Sequence, residues 1–162
     1  MRIHTALLLL GGNLGEVLGS FDQAILKLED HGTVRAVSKH YRSEAWGMDQ
    51  APDFLNQALI IETSHHPADL LKIILAVEDE LGRTREDSTN YQSRTLDIDI
   101  LLMDQLIIDT ADLSIPHPRM HLRSFTMQPA AEIAGEWQHP IFLKSLETLA
   151  SECADTLKVE AL

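Results

Sequence analysis

The chain has a single cysteine in 162 residues and no Ser-, Gly- or Pro-rich linker, internal repeat or low-complexity tract. With only Cys153 available, an internal disulfide and a thiolate-built zinc site are both excluded, which fits a reducing compartment. No apolar run approaches the ~20 residues that cross a bilayer. The run Ala6-Leu7-Leu8-Leu9-Leu10 behind Arg2 is shorter than the h-region of a secretory leader, and Gly11-Gly12-Asn13 interrupts it at once. A buried strand is expected there, and a cytoplasmic protein overall. Positive charge is also scarce, with 13 Lys and Arg against 25 Asp and Glu, a formal net charge of -12. Nucleic acid and anionic membranes are bound through basic surfaces, so neither is expected as a partner. A small anion remains compatible wherever positive side chains gather locally.

What is present describes a globular protein. Hydrophobic residues make up 44% of the chain and the mean hydropathy is -0.07, enough apolar content for a core and too much for a disordered chain. The length suits one domain over residues 1–162, with a monomer as the default. A strand is expected over residues 4–10. Asn13 is placed to cap a helix, with Glu16 completing a capping box and Leu14, Leu18, Phe21, Ile25 and Leu28 as its apolar stripe. Gly32 is expected to close that helix. Strands follow over 34–41 and 54–63, separated by an irregular loop. His65-His66-Pro67 reads as an exposed turn before a helix over 67–81, striped by Leu70, Ile74, Val77 and Leu81. Beyond a polar loop come a strand over 95–102, a turn at Asp104-Gln105, a short strand over 106–108, and helices over 123–134 and 143–151. The order β-α-β-β-α-β predicts an α+β fold: a ferredoxin-like α/β sandwich with a mainly antiparallel sheet flanked by helices, an added β-hairpin and C-terminal helices.

The stretch Arg94-Thr95-Leu96-Asp97-Ile98-Asp99-Ile100-Leu101-Leu102 is the most informative. Side chains alternate across a strand, so Leu96, Ile98, Ile100 and Leu102 are expected on one core face and Asp97 and Asp99 on the other. The carboxylates then repel at a Cα spacing of about 6.5 Å, taking ~3.3 Å per residue. Two divalent cations would turn that repulsion into a use. A solvated strand face is the plainer explanation of the same pattern. Five arginines, Arg83, Arg85, Arg94, Arg119 and Arg123, surround the pair in sequence. The guanidinium fork meets phosphate oxygens bidentately, and acidic residues for Mg²⁺ beside arginines for phosphate are the equipment of phosphoryl transfer.

Gly82-Arg83-Thr84-Arg85 followed by Arg94-Thr95-Leu96-Asp97-Ile98-Asp99-Ile100-Leu101 resembles the signature of the 6-hydroxymethyl-7,8-dihydropterin pyrophosphokinase family. Ile115-Pro116-His117-Pro118 with Arg123-Ser124-Phe125 resembles that family's later segment. Its N-terminal blocks are matched by Gly12-Asn13-Leu14-Gly15, Tyr41-Arg42-Ser43 and Gln50-Ala51-Pro52-Asp53-Phe54-Leu55-Asn56. Blocks in the family's order cover residues 4–150.

The resemblance implies transfer of pyrophosphate from ATP to the hydroxymethyl group of the reduced pterin, with release of AMP. It implies that Asp97 and Asp99 hold two Mg²⁺, that Arg83, Arg94 and Arg123 contact phosphates, and that Arg85 and the aromatic Tyr91 belong to a loop over ATP. His117 would meet the α-phosphate region, and Leu71, Glu78, Ile100 and Ser114 would line an adenosine pocket. Phe54 and Phe125 would sandwich the pterin, with Asn56, Ser43 and Trp46 along its edge. A flat heteroaromatic ring suits two aromatic faces and an amide that both donates and accepts. Departures from the family pattern fall at Gly12, Glu44-Ala45-Trp46, Tyr91-Gln92-Ser93 and Asp112, and bear on affinity and loop behaviour more than on the reaction. Two other functions use the same residues: a two-metal nucleotidyl transferase or cyclase on a similar palm, and a non-catalytic module that binds a small ligand.

Away from the resemblance, the remaining residues have plain structural roles. Gly11-Gly12-Asn13-Leu14-Gly15 lacks the Gly-Lys-Ser/Thr ending of a P-loop and reads as a strand-to-helix turn. His4, His31, His40, His121 and His139 are expected at the surface, and Cys153 and Trp137 in packing.

Overall fold

The apolar run near the start becomes β1 (His4–Gly12), which continues through both glycines. In the computed structural model, which describes residues 2–44, 53–81 and 96–162, β1 lies between β4 (Phe54–Thr63) and β5 (Asp97–Met103) and is antiparallel to both. Its two faces feed separate cores. Ala6, Leu8 and Leu10 pack with Phe21, Leu28, Leu70 and Ile74, whereas Leu7 and Leu9 pack with Met127, Ala130, Leu146 and Leu149. A strand buried on both faces needs an unbroken apolar run, which explains why residues 6–10 do not alternate.

The first core is covered by α1 (Val17–Leu28) and α2 (Pro67–Leu81), and the second by α3 (Ser124–Ala134) and α4 (Leu146–Glu152). Each fully buried Leu, Ile or Phe contributes roughly 1.5–3 kcal/mol, so the apolar stripes and not helix propensity hold these layers. The main sheet has the order β5-β1-β4-β3-β8, with β3 (Tyr41–Ser43) and β8 (Val159–Ala161). A sixth strand, β2 (Thr33–Val37), pairs with the other half of β4. A separate hairpin joins β6 (Ile108–Asp109) to β7 (Ser114–Ile115). The expected ferredoxin-like sandwich with C-terminal helices is therefore present, but its hairpin lies further along: the short strand expected over 106–108 starts at Ile108 and pairs with β7, not with β5 across the Asp104-Gln105 turn. No helix among the described residues is long and apolar enough to cross a membrane.

Several local expectations are corrected. Asn13 does not cap α1: β1 runs through Gly12, Asn13 is buried, and Glu16 stands at the cap position without a side-chain hydrogen bond. The buried stripe of α1 is Val17, Phe21, Ala24 and Leu28, while Leu14 and Leu18 are exposed. Gly32 does not end the helix, which stops at Leu28. Its missing side chain instead lets the chain pass the Glu62 carbonyl, which a Cβ at position 32 would strike.

The single strand expected over 34–41 is divided at Ser38. Its carbonyl accepts from Gln57 Nε2 and its Oγ accepts from the Ala58 N–H, both at 2.9 Å, which turns the chain out of β2 before β3 begins. A register shift opposite Leu7 and Leu8 moves Leu102 off the face of Leu96, Ile98 and Ile100 and into the second core. His4 and His139 are buried rather than at the surface. Each has found a use for a ring nitrogen. His4 Nδ1 donates to Asp104 at 2.7 Å, and His139 Nδ1 accepts the N–H groups of Ile141 and Phe142. The last helix starts at Leu146, where Ser145 caps it by accepting from the Thr148 N–H.

Candidate active site

Antiparallel pairing brings the end of β1 to the starts of β4 and β5. Gly11 lies opposite Asn56 on one side and Asp97 on the other, and Leu9 lies opposite Asp99. Directly opposed residues share a sheet face, so Leu9, Gly11, Asn56, Asp97 and Asp99 all face the side covered by α3. Phe54, two positions before Asn56, faces the same way and pairs with Ser43. At this end a cleft of about 700 Å³ opens between the sheet and the start of α3, within the ordinary size range of small-ligand sites. Its walls include Asp97 and Asp99, the aromatic pair Phe54 and Phe125, Asn56 and Arg123.

Asn56 is buried, and its Nδ2 donates to the Leu10 carbonyl at 3.2 Å, which fixes the amide beside the glycines. Arg123 precedes α3 and its guanidinium lies 5.6 Å from the centroid of the Phe125 ring, a cation–π arrangement that orients both side chains. Ser124, between them, is tied to the chain's end: its N–H donates to Asp155 Oδ2 at 3.0 Å. Burial holds the His117 imidazole below its ordinary pKa. The Asp99 carboxylate opposes that shift, while Arg123 and Arg119 reinforce it. His117 Nδ1 accepts the Arg119 N–H at 3.2 Å.

The cleft brings together Ser43, Phe54, Asn56, Asp97, Asp99, Arg123 and Phe125. His117 sits close enough to act electrostatically on Asp99 and Arg123 without being among the lining residues. Leu71, Glu78, Ile100 and Ser114 do not line it either. They occupy α2, β5 and β7, which touch in that order at the β5 edge of the sheet. There Ile100 is part of the first core, and buried Glu78 accepts the Ile98 N–H at 2.7 Å. Arg83, Arg85, Tyr91, Arg94 and Trp46 lie outside the described residues.

Gly12 and Glu44, which the sequence marked only as departures from the family pattern, line the cleft too, and the lining residues missed in the sequence are Leu9, Gly11, Leu122, Asp155 and Leu157. Of these only Gly11 carried a signal, as one of a pair of small residues ending a bulky strand. Asp155 and Leu157 are brought in by tertiary structure alone.

Among the described residues no group of three or more His, Cys, Asp or Glu side chains gathers as a ready-made metal cage. Asp97 and Asp99 nevertheless offer hard oxygen donors on one strand face at the cleft wall. Mg²⁺ suits such a pair, because it is ordinarily held by one or two carboxylates and completed by water and substrate phosphates.

The profile of the family described as 7,8-dihydro-6-hydroxymethylpterin-pyrophosphokinase (HPPK) matches residues 7–135. A Bacillus subtilis protein described as 2-amino-4-hydroxy-6-hydroxymethyldihydropteridine pyrophosphokinase is 42% identical over 135 residues, which span 82% of this chain and 80% of the relative. A protein of the same description from Aquifex aeolicus is 38% identical over 154 residues, 95% of this chain and 94% of its own. Among solved structures, wild-type Plasmodium falciparum HPPK-DHPS superposes with a TM-score of 0.73 at 13% identity over 93% of this chain. That likeness concerns the fold, and the match spans 45% of the solved chain.

Proposed function

The chain belongs to the 7,8-dihydro-6-hydroxymethylpterin-pyrophosphokinase family, and from that membership we propose that its cleft joins ATP to the hydroxymethyl group of 6-hydroxymethyl-7,8-dihydropterin. As a pyrophosphokinase it is an ATP-dependent diphosphokinase of folate biosynthesis. The observation that carries the finer proposal is convergence: a carboxylate pair, an aromatic pair, a buried amide and an arginine, from β3-adjacent, central and edge strands and from α3, meet in one cleft.

The pterin ring lies between Phe54 and Phe125, and Asn56 and Ser43 meet its polar edge. This orients the hydroxymethyl oxygen toward Asp97 and Asp99. That oxygen attacks the β-phosphorus of ATP. A new O–P bond forms, the bond from the β-phosphorus to the α,β-bridging oxygen breaks, AMP leaves, and the hydroxyl proton passes to base. Asp97 and Asp99 would hold two Mg²⁺, which when bound would supply charge neutralisation on the phosphates and ease loss of the hydroxyl proton. Arg123, with Arg83, Arg85 and Arg94, adds guanidinium contacts to phosphate oxygens. Tyr91 and His117 complete the nucleotide side, and Leu71, Glu78, Ile100 and Ser114 belong to the adenosine end. Alignment and electrostatics account for the catalysis without a covalent enzyme intermediate.

Incubating the purified protein with ATP, Mg²⁺ and 6-hydroxymethyl-7,8-dihydropterin tests this directly. AMP should appear in equal amount with the pterin diphosphate. Release of pyrophosphate or ADP in place of AMP, or no turnover, would sink the proposal.

A further inference from the structure

The far end of the chain completes the cleft. Asp155 and Leu157 line it, and beyond them β8 adds to β3, placing Val159 opposite Ser43, another lining residue. The Leu162 N–H also donates to the His40 carbonyl at 2.8 Å, just before β3. One wall strand is therefore pinned by the tail.

The opposite wall is pinned by Asp155. Its Oδ2 accepts the Ser124 N–H at 3.0 Å, its carbonyl accepts Ser124 Oγ at 3.1 Å, and its Oδ1 accepts the Leu157 N–H at 2.9 Å. Ser124 opens α3, and its neighbours Arg123 and Phe125 both line the cleft. The first N–H groups of a helix lack intrahelical acceptors, and a side-chain oxygen at that end satisfies one. Arg123 stands in the cap position and provides no side-chain cap. Asp155 does so from 31 residues away in sequence. Its negative charge is also well placed at the positive end of the helix dipole. The matched family segment ends at residue 135, before this tail begins.

We propose that Asp155 is a positioning residue for the aromatic substrate. It fixes the Arg123–Phe125 step against the sheet, and it holds Leu157 as part of the apolar wall. The inference rests on the pterin assignment of the cleft. Asp97 and Asp99 are carried by β5, on the other side of β1 from the strands that β8 joins, so Asp155 bears on capture of the ring more than on the phosphates.

The test is steady-state kinetics of the full chain with each substrate varied, beside thermal melts. Asp155→Ala should raise the pterin KM about tenfold while the ATP KM stays within about threefold. Asp155→Asn keeps one oxygen for the Ser124 N–H but loses the charge and the acceptor of the Leu157 N–H, so it should recover only part of the loss. Leu157→Ala leaves the backbone bonds of Asp155 in place and should raise the pterin KM about threefold. It reports on the wall even if Asp155→Ala does not fold. Wild-type turnover with an unchanged pterin KM in Leu157→Ala, or with equal rises for both substrates in Asp155→Ala, overturns the inference alone. Failure of wild type to turn over the pterin overturns the substrate assignment and the inference with it.

Discussion

A Cβ on Gly11 would come within 2.7 Å of Asn56 Nδ2, so the buried amide occupies the space that any side chain at position 11 would claim. The glycine and the asparagine face each other across the β1–β4 pairing, and the amide is held there by its bond to the Leu10 carbonyl. Gly11→Ala should therefore displace the end of a flexible side chain while sparing the backbone. The expected result is a pterin KM raised about tenfold, equivalent to about 1.4 kcal/mol, with only a small fall in Tm. Substrate-specific kinetics and a melt on the same sample check both parts. A large stability loss with unchanged pterin KM would mean that the amide does not meet the ring.

Much of the fold is legible in the sequence where pattern and burial coincide. β4 and α2 match their expected bounds because an apolar run between turn residues and a regular i, i+4, i+7 stripe meet no competing signal. The start of α1 is not legible, because Asn13-Leu14-Gly15-Glu16 imitates a cap that the extension of β1 pre-empts. β8 is three residues long and depends on β3 for its pairing, so no local periodicity announces it. In the site, strand alternation alone puts Asp97 and Asp99 on one face, and pairing then sets that face opposite Leu9 and Gly11. The meeting of Phe54 with Phe125 has no local signature; only the family resemblance anticipates it.

Glu78 is expected to reveal itself first as a structural residue. Its carboxylate accepts the N–H of Ile98, the residue between Asp97 and Asp99, in buried surroundings. Glu78→Ala leaves that N–H without this acceptor, at a cost of about 1–3 kcal/mol. Glu78→Gln keeps an amide oxygen and should recover at least half of the lost Tm. Denaturation midpoints of the two variants decide the matter. Equal stability of both to wild type, with a raised ATP KM, would make Glu78 a nucleotide contact and little else.

Asp97→Asn and Asp99→Asn should each lower kcat/KM for ATP by about a thousandfold or more, about 4 kcal/mol of transition-state stabilisation. Asparagine preserves the shape of the wall and removes the charge. The distinguishing measurement is a Mg²⁺ titration of turnover: half-saturation should move to higher concentration in both variants. An unchanged titration midpoint in both would remove the pair from the metal role, whatever happened to the rate.

Asp104 links pH to stability at the opposite end of the sheet from the cleft. Partial burial raises its pKa, but the Thr5 N–H, the His4 ring and the charges of His4 and Arg2 outweigh that, leaving it below the ordinary 3.8. Its Oδ1 accepts the Thr5 N–H at 2.9 Å and its Oδ2 accepts His4 Nδ1–H at 2.7 Å. A carboxyl whose folded-state pKa is depressed contributes fully above its unfolded value and loses that contribution as pH falls through the folded one. Asp104→Asn isolates the charge, because asparagine tolerates the positive φ of 51° at this turn and still offers an oxygen to Thr5. At pH 7 the variant should be less stable by about 1–2 kcal/mol, roughly 2–8 °C in Tm for a chain of this size. The gap should hold down to about pH 5, begin to narrow near the unfolded aspartate value of about 3.9, and close only as pH falls through the lower folded-state value. Melts of the two proteins across that range check it, and a gap that failed to narrow below the unfolded aspartate value would show that the carboxylate is not stabilised by these partners.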